Sequence, residues 1–68
     1  MEKIHLNKEY ITLGQLLKLS GFISNGSEAK FAVKKLDIKV NNQIENRRGK
    51  KLYADDLVII EGKEFQIL

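Results

Sequence analysis

The sequence predicts an α+β fold, with two short helices packed on a small twisted, mainly antiparallel sheet. Three observations lead there. Two segments in the first half space their apolar residues for helices and carry capping residues in front of them. Beyond residue 37 the chain reads as short apolar or alternating runs parted by turn residues. The 68 residues include no proline and no cysteine. One continuous domain over residues 1–68 is therefore expected, with no disulfide staple and no thiolate for metal or catalysis.

The elements follow in order. Ile4 and Leu6 alternate with Lys3, His5 and Asn7, which suggests a short strand. Thr12 is a helix cap, and Gln15 completes a capping box with it. Ile11 and Leu16 stand at the positions of a hydrophobic staple. Leu13, Leu16, Leu17 and Ser20 share a face, and Gly21 can end the helix, which is expected over residues 13–20. A second helix starts from Asn25 or Ser24, with Glu28 assisting if Asn25 is the cap. Its stripe is Ala29, Ala32, Val33 and Leu36, and the alanines let it pack close to a neighbour.

IKVNNQIE then reads as a hairpin, with Asn41-Asn42 suited to a type I′ turn. A basic loop follows. Leu57 to Ile60 is an apolar strand, Glu61-Gly62-Lys63 turns the chain, and Glu64 to Leu68 forms the last strand. Phe65 and Ile67 fall on one side of it.

Charge is uneven along the chain. Lys and Arg total 12 against 9 Asp and Glu, a formal net charge of +3. Lys30, Lys34, Lys35, Lys39, Arg47, Arg48, Lys50 and Lys51 lie between residues 30 and 51, with only Asp37 and Glu45 among them. No apolar run approaches the roughly 18 residues of a membrane span, so no membrane partner is expected. The first residues lack the apolar core of a secretory signal, and a cytoplasmic location is expected.

The run NRRGKK, residues 46–51, has two readings. It can be a solvated loop, or it can hold a polyanion. Arginine forks onto phosphate with two parallel hydrogen bonds, and lysine neutralises it as a point charge. On the second helix Ser27, Lys30 and Lys34 lie together, away from the apolar stripe. They either line the wet face or join the loop in one positive surface. Phe31 sits about 200° from Ala29 around the helix. It either stacks on an unpaired base or packs under the N-terminal strand or the chain end. His5, the single histidine, has no partners for a metal site. Asp55 and Asp56 are adjacent, so they point apart and read as a turn rather than an acid–base pair. No enzyme, no metal and no cofactor is expected, since so small a chain has little room for a substrate pocket.

The ordered set ITLGQLLKLSGFISNGSEAKFAV, IKVNNQI and RRGKKLYADDLVII resembles the ribosomal-protein-S-four-like, or alpha-L, RNA-binding domain. It is most similar to the small stand-alone bacterial proteins of that family. The resemblance covers residues 11 to 60. It implies the alpha-L motif as the fold and RNA, structured or ribosomal, as the partner of a monomer. Asn25-Gly26 stands where the larger family usually has Ser-Arg, and the basic run is placed to compensate. The resemblance and the charges together nominate Asn25, Ser27, Lys30, Lys34, Arg47, Arg48, Lys50 and Lys51 as RNA-binding residues, and Phe31 as a base-stacking one.

A second reading keeps the fold and makes the chain a protein–protein adaptor, with Phe31, Tyr53 and Leu19 as an exposed apolar patch. Salt separates the two. Four to six phosphate contacts give a log–log slope on the order of −3 to −5, whereas an apolar interface is nearly salt-blind.

Overall fold

The structure, a computed structural model, describes all residues from Met1 to Leu68. The elements run β1 (Glu2–Ile4), β2 (Ile11–Thr12), α1 (Leu13–Leu19), a 3-10 turn (Gly26–Glu28), α2 (Ala29–Lys35), β3 (Ile38–Val40), β4 (Gln43–Ile44), β5 (Lys51–Leu52), β6 (Leu57–Ile60) and β7 (Lys63–Ile67). Five strands form one sheet in the order β1-β7-β6-β3-β4, while β2 and β5 pair apart from it. All pairings are antiparallel except β1 with β7. The expected α+β architecture is present.

Period-two patterning sets the inner face of the sheet. Ile38, Val58, Ile60, Phe65 and Ile67 are at most 1% exposed, and Leu13, Leu16 and Leu17 of α1 are fully buried with them. Ala29 and Val33 of α2 complete this core. Phe22, between the helices, meets Phe65 edge-on with ring centroids 6.5 Å apart.

The helix ends follow the local chemistry. Gln15 N–H donates to Thr12 Oγ1, and Thr12 N–H donates to Gln15 Oε1. At the other end Phe22 N–H reaches the Leu17 carbonyl and Gly21 N–H the Lys18 carbonyl. Gly21 has φ +86°, so this is a Schellman stop. Asn25 caps the second helical segment with Glu28 in its capping box, but the first turn there is 3-10 and α2 begins at Ala29. Asn41 and Asn42 have φ 51° and 69°, the pair of positive values a type I′ turn needs.

Three expectations need correction. The first strand is Glu2–Ile4, so the alternation from Lys3 to Asn7 runs past its end. The stretch between the hairpin and β6 is not all loop: Lys51–Leu52 is a strand paired with Ile11–Thr12. A two-residue ladder leaves no period in the sequence to detect. The last strand begins at Lys63, because Glu61 and Gly62 alone make the turn.

Candidate nucleic-acid interface

The basic run is bound to the start of α1. Leu13 N–H donates to the Lys50 carbonyl at 2.9 Å, and Gly14 N–H to the Arg48 carbonyl at 2.8 Å. The first N–H groups of a helix have no partner inside it. Here the loop backbone supplies two, and Thr12 supplies a third. Gly14 makes the approach possible. A Cβ on Gly14 would lie 3.3 Å from both Ala29 Cβ and the Arg48 carbonyl oxygen. The loop is therefore an ordered part of the fold rather than a tether.

This docking forms a cleft of about 360 Å³ lined by Thr12, Gly14, Gln15, Lys18, Gly26, Arg48 and Gly49. No apolar and no acidic side chain lines it. Lys18 and Arg48 have no ion-pair partner in the chain. Gly26 and Gly49 have no positive φ, and a Cβ on either would meet nothing within 4 Å. Neither backbone conformation nor packing demands glycine there. Both leave the floor of the cleft open.

The opposite side of the loop differs. Arg47, Gly49, Lys50, Lys51 and Tyr53 line a second depression. Arg47 Nε and Nη2 donate to Glu45 at 2.8 and 3.1 Å, and Arg47 N–H donates to the same carboxylate. Glu45 is only 8% exposed. The hydrogen bond from Arg47 holds its carboxyl below the usual glutamate range against the opposing effect of burial. The Arg47 pKa is raised in turn. Lys51 Nζ lies 4.9 Å from the Tyr10 ring centroid, and Tyr10 packs on Tyr53.

On the helical side, Asn25 Oδ1 accepts from Ser27 N–H and Oγ. Lys30 and Lys34 are exposed on α2. Phe31 is 72% exposed, so it does not pack under the N-terminal strand. Leu19, Phe31 and Tyr53 are all exposed, but each lines a different depression. Of the nominated residues only Arg48 lines the cleft; Lys18, Gln15 and Gly26 line it without having been nominated. The signal was present, since Gly14, Gln15 and Lys18 fall on the face of α1 away from Leu13, Leu16 and Leu17. Asp55, with φ 77°, and Asp56, which accepts from Tyr53 N–H, form the expected turn.

Fold and cleft define a class: a helix pair backed by a sheet, with a cationic, glycine-floored cleft at the helix–loop junction. The profile of the S4 domain matches residues 4–68, and the chain belongs to that family. A probable ribosome maturation protein, RlbA of Bacillus subtilis, is 46% identical over 66 residues, covering 96% of this chain and 93% of that protein. A putative RNA-binding protein, YbcJ of Escherichia coli, is 32% identical over 59 residues, or 87% of this chain and 84% of that one. The solution structure of Escherichia coli YbcJ superposes with a TM-score of 0.71 over 100% of this chain and 87% of that one, at 32% identity. That structure is described as revealing an alfaL motif involved in RNA-binding.

Proposed function

We propose that residues 1–68 act as one non-catalytic, monomeric RNA-binding domain in the cytoplasm, and that the cleft between α1 and the basic loop seats an RNA backbone. The observation that carries this reading is the convergence of Lys18 and Arg48, both without internal partners, over a floor kept bare by Gly26 and Gly49. Phosphate contacts fix position and dominate affinity, and a bare backbone lets the sugar-phosphate chain approach closely. Lys30, Lys34 and Lys50 extend the positive field, with Asn25 and Ser27 at its edge. Arg47 and Lys51 shape the loop as well as adding charge to it. The relatives' names, a probable ribosome maturation protein and a putative RNA-binding protein, support structured RNA, ribosomal RNA included, as the ligand.

Titrating the labelled chain with an RNA hairpin and with a DNA duplex of equal charge at physiological salt tests this. RNA is expected to shift the amides of residues 14–18, 25–34 and 47–51, and the DNA to do so more weakly. Equal, uniform shifts with both acids would reduce the cleft to a generic cation patch. No shift with either would remove the proposal.

A further inference from the structure

On the far side of the 3-10 turn from the cleft lies an apolar groove of about 430 Å³, lined by Phe22, Ile23, Glu28, Phe31, Ala32, Lys35 and Leu36. Gly26 faces the cleft and Glu28 the groove, so the two depressions meet at one three-residue turn. We infer that this groove takes a single unpaired nucleobase, stacked on Phe31, from an RNA whose backbone lies in the cleft. The inference rests on the RNA-binding reading above and adds a second subsite to it.

The shape and charge of the groove favour a nucleotide. One wall is firm, because Phe22 is anchored edge-on against the buried Phe65. The other wall is the exposed Phe31 ring. Lys35 lines the groove, and Lys34 follows Phe31 by one helical turn. An apolar slot with an exposed aromatic ring and a lysine at its edge complements a flat base joined to an anionic backbone. The one acid present is already engaged. Glu28 Oε2 accepts from the N–H groups of Asn25 and Ser24, which hold its carboxyl below the usual range and tie the ionised group to the turn backbone. An apolar protein segment would fill the slot but would gain nothing from the cationic cleft that shares the 3-10 turn with it.

Three RNA hairpins test the inference: one fully paired, one with a single bulged 2-aminopurine, and one with an abasic bulge. The intact chain is expected to bind the 2-aminopurine hairpin about tenfold more tightly than the abasic one, with a change in the probe's fluorescence. Phe31→Leu keeps an apolar side chain but removes the ring, and should abolish that difference. Phe31→Trp should keep it. Phe31 is exposed, so neither substitution disturbs the core. Equal binding of the bulged and abasic hairpins overturns the inference, as does a difference that survives Phe31→Leu. Should the paired hairpin still bind in those cases, the cleft proposal stands alone. If no hairpin binds, both fail.

Discussion

The two sides of the basic loop carry the same charges in different circumstances. On the side toward α1, Lys18 and Arg48 have no ion-pair partner and the backbone is bare. On the outer side, Arg47 is bound to Glu45 and Lys51 lies over Tyr10. Arg47 and Arg48 are neighbours in sequence, yet one side chain holds the loop and the other faces open space. A basic run is therefore not one site. Its geometry divides it into cations tied to the surface, Arg47 and Lys51, and cations without a partner, Arg48 and Lys50.

The largest effect is expected where both sides fail together. Gly14→Val puts a branched side chain where even a lone Cβ would lie 3.3 Å from Ala29 Cβ and the Arg48 carbonyl oxygen. Overpacking of this kind costs about 1–3 kcal/mol. Urea unfolding should report it, and RNA affinity should fall as the loop leaves α1. Next is the double variant Lys18→Ala/Arg48→Ala. It should leave the urea midpoint unchanged and weaken hairpin binding about ten- to hundredfold, as the loss of two charge-assisted contacts predicts. If its binding matched the parent chain, the cleft cations would not contact RNA.

Glu45→Gln sharpens the comparison from the structural side. It removes the charge that fixes Arg47, at a cost of about 1–2 kcal/mol. It should also alter the acid limb. The folded chain holds the Glu45 carboxyl below its ordinary value, so the unfolded chain binds that proton first as pH falls. The stabilisation is complete above the ordinary carboxylate range and is lost as pH drops through the folded value. Stability measured from neutrality into acid should therefore fall less steeply in Glu45→Gln. The smallest effect on binding is expected from Arg47→Ala, with RNA affinity within about twofold of the parent because half its fork is already on Glu45.

Much of the fold was legible in local chemistry. The Thr12/Gln15 capping box, the Gly21 stop and the Asn41-Asn42 turn each need only neighbouring residues, and each is present. What was hidden depends on distant parts of the chain. The parallel seat of β1 beside β7 and the β2–β5 ladder join residues more than 35 positions apart. The cleft was half legible. The run of positive charge was plain, but Lys18 enters only because Gly14 lets the loop dock on α1. The grip of Glu45 on Arg47 was also invisible, since Glu45 is held by its backbone N–H donating to the Ile38 carbonyl, seven residues back, and is buried there.

The most direct test of the division is the salt dependence of hairpin binding for three chains: the parent, Lys18→Ala/Arg48→Ala, and Arg47→Ala/Lys51→Ala. Each lost phosphate contact flattens the log–log slope by about 0.7–0.9. The cleft variant should flatten it by about 1.5–2, and the outer variant should leave it near the parent value. Equal flattening in both variants would contradict the division and make the whole run one undivided cation patch.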